Sequence, residues 1–206
     1  MIMFKKIMLV TICSGLAHIV YSQRTPAPYT STETSKGFQK ENIFLGGGLN
    51  LGFGTGSFGV GLNPEVGYSI ANWMDAGIAI NASYQSINAD YNYGYSQKSF
   101  NYGAGIFTRI YPIQFLFLQI QPEHNWSNNT LKDPSTNFSQ KINFQSNSLL
   151  AGIGYANRIV GQGNFYTVIM IDLMSDLHSP YRDGYNHILP VIRAGFNFYL
   201  KPSVKK

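Results

Sequence analysis

The chain has 206 residues, of which only 12% are charged, about half the fraction found in an ordinary water-soluble domain. Lys5, Lys6, Lys201, Lys205 and Lys206 account for the whole net charge of +5, so the body between the ends is neutral and offers no basic stripe for nucleic acid. Beyond the N-terminal stretch, no apolar run reaches the ~20 residues that a membrane helix needs.

The N-terminus reads as an export signal. Lys5-Lys6 precede an apolar run from Ile7 to Val20, and Val20-Tyr21-Ser22 offers a small-residue cleavage site. Residues 1–22 are therefore expected to be removed, leaving Gln23 at the mature N-terminus. Cys13, the single cysteine, leaves with them. The mature chain would then have no disulfide, no thiol nucleophile and no cysteine metal site. Residues 23–41 are rich in Thr, Ser and Pro without periodicity, which predicts a flexible periplasmic leader.

From residue 42 onward, apolar and small or polar residues alternate with a period of two in eight stretches. The first, 43–53, sets Leu45, Leu49 and Leu51 against Gly46, Gly48 and Asn50. The second, 58–70, opposes Leu62, Val66 and Ile70 to Asn63, Glu65 and Gly67. In the third, 75–85, Ile78, Ile80 and Tyr84 face away from Asn81, Ser83 and Gln85. The fourth, 100–111, opposes Tyr102, Ile106 and Ile110 to Asn101, Gly103, Gly105 and Arg109. The fifth, 114–126, sets Leu116, Leu118 and Ile120 against Gln119, Gln121 and Glu123. The sixth, 148–157, is weaker, with Ala151, Ile153 and Tyr155 outward. The seventh, 164–174, turns Ile169, Ile171 and Leu173 outward and Asp172 inward. The eighth, 187–200, alternates Ile192, Ala194, Phe196 and Phe198 with Arg193, Gly195, Asn197 and Tyr199.

Polar connections at 54–57, 86–99, 127–147 and 175–186 alternate with tight ones at 71–74, 112–113 and 159–163. Longer outer loops alternating with short periplasmic turns fit a transmembrane barrel whose strands face lipid on one side and the lumen on the other. Trp73, Tyr111, Phe165 and Tyr199 are expected at the periplasmic interface, and Tyr84, Trp126 and Tyr185 at the outer one.

The stretch Gly105-Ile-Phe-Thr-Arg-Ile-Tyr-Pro112, a strand ending in Arg and Tyr before a tight turn, resembles the small outer-membrane β-barrel family, the OmpA-membrane-domain-like and PorT-like group. Ala151-Gly-Ile-Gly-Tyr155 and Ile192-Arg-Ala-Gly-Phe-Asn-Phe-Tyr199 are similar to that family's sixth and eighth strands. The resemblance implies an all-β, eight-stranded antiparallel up-and-down barrel over 42–200 in a Gram-negative outer membrane. Members often end on an aromatic residue, whereas here a basic tail, 201–206, follows Leu200.

Glu65, Arg109, Glu123, Asp172 and Arg193 fall on the inward face of a barrel just wide enough for side chains to fill. Charges there must pair or stay hydrated. They are read as a network closing the lumen, with Arg193 expected on Asp172, Glu65 or both; a narrow ion path lined by the same residues is the alternative. His124 with Ser127 and His178 with Ser179 are the candidate base–nucleophile pairs of a lipid-modifying enzyme, but neither has an orienting third group. His187 stands alone, and the histidines lack ligand spacing for a metal. No catalytic, cofactor-binding or metal residue is assigned. Tyr91, Tyr93, Tyr95 and Trp126 sit among Asn, Ser and Gly, as on adaptable recognition surfaces. The expected function is a non-enzymatic structural or interaction subunit of the envelope, with a narrow diffusion channel as the rival. Its expected partners are outer-membrane lipid, lipopolysaccharide and an envelope-complex protein.

Overall fold

The alternation of residue type is realised as strands in a computed structural model that describes residues 37–182 and 187–200. The expected signal segment, all but the end of the leader, Tyr185 and the basic tail lie outside the described residues. A 3-10 turn at Lys40–Asn42 leads into β1 (Ile43–Gly54), β2 (Ser57–Ala71), β3 (Met74–Ile87), β4 (Ser96–Ile113), β5 (Leu116–Lys132), β6 (Ser139–Ala156), β7 (Asn164–Asp172) and β8 (Val191–Tyr199). Each strand pairs antiparallel with its sequence neighbour, and β8 returns to β1, closing the barrel. The end carrying the start of β1 is called proximal below, and the opposite end distal.

The faces follow the expected parity. Leu49, Leu62, Ile78, Ile106, Leu118, Ile169 and Ile192 are all exposed on the outside, whereas Asn63, Glu65, Asn81, Arg109, Gln119, Gln121, Asn125, Asp172 and Asn197 are buried inside. The barrel is thus inside-out with respect to a soluble one. The lumen also holds apolar side chains that alternation does not single out. Tyr111, Phe117, Leu150, Tyr166, Val168 and Met170 form one cluster, and Phe44, Phe107 and Tyr199 belong to another. Tyr111 and Tyr199, at the proximal strand ends, point into the lumen. They share the parity of Arg109 and Arg193.

Strand lengths differ from expectation in one direction on β4–β6 and in the other on β7 and β8. β4 begins at Ser96, β5 runs to Lys132 and β6 begins at Ser139, so the polar loops shrink to 88–95 and 133–138. Residues such as Ser127–Asn129 are polar on both faces because this distal extension stands clear of the apolar band. The ladder continues there, but the apolar signal does not. β7 and β8 are short, and Leu173 and Met174 lie past the end of β7.

Glycines let strands and side chains pack tightly in the lumen. A Cβ on Gly105 would sit 2.3 Å from the Pro122 carbonyl oxygen and 2.7 Å from Glu123 Cβ. Gly105→Ala is accordingly expected to destabilise the barrel by about 1–3 kcal/mol, the usual cost of overpacking. Urea titration followed by the shift between folded and unfolded gel mobility measures it. A neutral result would mean that β5 yields at this point.

Candidate functional site: the lumen and the distal mouth

Among the described residues, three ion pairs cross the lumen. In the proximal pair, Arg158, from the connection between β6 and β7, reaches Asp75 at the start of β3 with Nη2–Oδ1 at 2.6 Å and Nε–Oδ2 at 3.0 Å. Its guanidinium also donates to the Ala71 carbonyl and lies over the Tyr111 ring. A bidentate fork with backbone acceptors behind it holds the arginine in one geometry. Neither residue is among the expected lumen charges.

A second pair involves Arg109 of β4, which makes a fork–fork pair with Glu65 of β2, both bonds at 2.7 Å. Its Nε–H donates to Gln119 Oε1 at 2.8 Å, so all three nitrogens of the guanidinium are used. The Phe107 and Tyr166 rings lie 4.6 and 4.5 Å from the guanidinium carbon, adding cation–π attraction. From Gln119 a ladder runs along β5, through Gln121 to Glu123.

In the third pair, Glu123 meets Arg193 of β8 at 3.9 Å and accepts from Asn125 at 3.2 Å. Asn125 in turn accepts from Asn81 at 3.0 Å. This corrects the expected partner of Arg193. Glu65 is taken by Arg109, and Asp172 is held by the Ser179 hydroxyl at 2.6 Å and by the backbone N–H groups of Leu149 and Met174. Which inward residues meet across a lumen depends on strand tilt and stagger, which a period of two does not encode.

Residues 173–182, in the connection that follows β7, pack against the distal lumen. Ser179 is buried against Asp172 and Ser148. Tyr181 packs on the lumen cluster of Leu150, Met170 and Val191 and accepts from Arg193 Nη2 at 3.2 Å. Burial pushes the Tyr181 phenol well above its ordinary pKa, and the Glu123 carboxylate pushes it further. It therefore remains a neutral hydroxyl across the biological pH range. Arg182 donates to the Met174 and Asp172 carbonyls, pinning the connection to the end of β7.

The candidate catalytic pairs are not assembled as nucleophile and base. His124 lies on the outer face with Asn147 (2.7 Å) and Trp126, whereas Ser127 has lumen-facing parity and is buried. His178 stacks on Phe144 and faces Asp176 at 3.7 Å, while the Ser179 hydroxyl is committed to Asp172 and Ser148.

Of the candidate recognition residues, Tyr91, Tyr93 and Tyr95 are together on the β3–β4 connection and exposed. Trp126 is not in a loop. It lies within β5 and stacks on Tyr102 at 5.6 Å and 17°. Across from the tyrosines, Asp133 accepts from the Ser135 backbone and from the Ser135 and Thr136 hydroxyls. Those bonds hold its pKa down at about 2. The two connections border a cavity of about 440 Å³ containing Asp90, Tyr93, Tyr95 and Asp133.

No family model matches the chain, and no curated protein sequence does. Among solved structures it is similar to a major outer membrane protein from Thermus thermophilus, at 14% identity and a TM-score of 0.49, covering 77% of this chain and 98% of that one. It is also similar to Neisserial surface protein A, at 9% identity and 0.46, over 77% and 97% of the two chains. A third is Ail, the attachment invasion locus protein of Yersinia pestis, at 9% and 0.43, over 76% and 95%. At such scores these likenesses add nothing to the fold, which the strand pairing itself establishes.

Proposed function

We propose that this chain is a non-enzymatic β-barrel of the bacterial outer membrane, closed along its lumen, which serves the envelope as a structural or interaction subunit through its distal surface. The observation that carries this reading is the inverted polarity of a closed barrel, with exposed Leu, Ile and Phe outside and buried Asp, Glu, Arg, Asn and Gln within. A water-soluble chain would leave such an apolar belt unsatisfied, since monomers rarely expose contiguous apolar patches beyond a few hundred Å². Closure is supported by the three ion pairs and by the Ser179–Tyr181 insertion. The exposed tyrosines and the tall β3–β4 and β5–β6 hairpins are the surface for lipopolysaccharide or a protein partner, because rigid aromatic rings give contact area at low entropic cost.

Planar-bilayer recording tests closure. The wild-type barrel is expected to insert and stay silent. Arg193→Ala should also stay silent, because the Arg109–Glu65 and Arg158–Asp75 layers remain. Steady conductance from the wild type would replace this reading with that of a narrow diffusion channel.

A further inference from the structure

The barrel wall does not reach the same height all round. The β1–β8 ladder runs from Phe44↔Tyr199 to Leu49↔Ala194 and stops there, although β1 continues to Gly54 in register with β2. Across the gap, β8 stays with β7 up to Met170↔Val191. The residue before β8 is Pro190, which has no N–H to give to a ladder. The chain leaves the sheet here, and the Leu189 N–H donates to the Tyr181 carbonyl at 2.9 Å.

Where the ladder stops there is a cavity of about 420 Å³, within the roughly 300–1,000 Å³ of small-molecule sites. Its lining comes from both faces of the sheet. Asn50, Ser83 and Asn101 have lumen-facing parity, whereas Leu51, Tyr84 and Ile192 have outward parity. The cavity thus lies at the β1 edge where the β1–β8 ladder ends, with lining residues of both lumenal and outward parity. None of its described lining residues is charged.

This composition selects a ligand class. Asn50, Ser83 and Asn101 supply amides and a hydroxyl that can bond an uncharged polar group. Leu51, Tyr84 and Ile192 supply cover for methylenes. An ionised head would be desolvated with no counter-charge among the lining residues, at a high cost. Among the described residues, β1 beyond Leu49 has no β8 ladder partner, and an unpaired strand edge beside hydrocarbon is costly, because its N–H and C=O groups have no water to bond.

We propose that this seam binds one neutral amphiphile, with its acyl chain against Leu51, Tyr84 and Ile192 and a hydroxyl- or amide-bearing head among Asn50, Ser83 and Asn101. The proposal rests on the membrane location given above, and the test separates the two. The barrel carrying Trp73→Phe, Trp126→Phe and Tyr84→Trp is reconstituted into phosphatidylcholine vesicles, and insertion is established first by protease protection. Brominated monoolein is then titrated against the single tryptophan, with brominated oleate as the charged control. Saturable quenching by monoolein, above the non-saturable background given by oleate, is expected. Ser83→Tyr, which fills the cavity from the lumen side, should weaken it about tenfold or more. A Leu51→Cys/Ile192→Cys disulfide should abolish it until reduced. Quenching by monoolein that never saturates, or that Ser83→Tyr leaves unchanged, would overturn the site. A barrel that fails to enter vesicles would instead overturn the membrane reading.

Discussion

Replacing Arg109 with alanine is expected to cost about 3–5 kcal/mol of barrel stability, the range for breaking a buried pair by removing one partner. The carboxylate left behind is Glu65, buried on β2 and bonded through both oxygens to the missing guanidinium. Gln119 would lose the donor to its Oε1 at the same time, and the Phe107 and Tyr166 rings would face a void. Arg109→Lys should recover only part of the loss. An ammonium is a point charge that cannot bridge both carboxylate oxygens and Gln119 in one plane. Removing both charges with Glu65→Leu/Arg109→Met should be milder than Arg109→Ala alone, since no ion is stranded. Equilibrium unfolding in urea from vesicles, read by tryptophan emission, gives the three values. If Arg109→Ala lost less than about 1 kcal/mol, as an exposed pair would, water would have to reach Glu65 and the lumen would not be closed at this height.

That layer is partly legible in the sequence. Glu65 and Arg109 have the same parity as neighbouring Gly, Asn and Gln residues, and this alone places them inside. Parity carries no information about which inward residues meet, so it leaves Asp172 and Glu65 as candidates for Arg193, whose carboxylate is Glu123. The proximal layer leaves weaker traces. Asp75 opens a strand with inward parity, but its partner Arg158 sits in a connection 83 residues away, where no period exists to assign a direction. Tyr111 and Tyr199 suit an interfacial position as well as a lumenal one, because aromatic residues at strand ends fit both roles. Parity with Arg109 and Arg193 puts both in the lumen, and the register adds their neighbours, Arg158 and Ser69. The distal extensions of β4, β5 and β6 look like loops in the sequence because their outward positions, such as Lys98, Asn128, Thr130, Lys141 and Asn143, are polar. Backbone pairing persists where side-chain contrast ends.

Arginine at Ile80, Leu118 or Ile169 is expected to destabilise the barrel by roughly 2–4 kcal/mol each if these positions lie near the bilayer midplane. The ladder places them on one belt. Leu118 is opposite Ile110 and Ile153, Ile169 is opposite Ile153 and Ile192, and Ile80 is opposite Ala104. All three are about half exposed, with relative accessibilities of 53%, 50% and 47%. Phe100 provides the comparison. It is outward and exposed, but the next outward position on β4 is Lys98, paired with Thr130, which marks the polar edge of the belt. Phe100→Arg should therefore cost only about 0–1 kcal/mol, the value near an interface. Unfolding free energies in vesicles give the profile. A peak over Ile80, Leu118 and Ile169 with a fall at Phe100 is what a bilayer imposes, because the cost of a charge depends on its depth. Equal costs at all four positions would point to a protein partner packed over the whole wall. No cost at any of them would mean that the outer face meets water, and the inverted polarity would then need another cause.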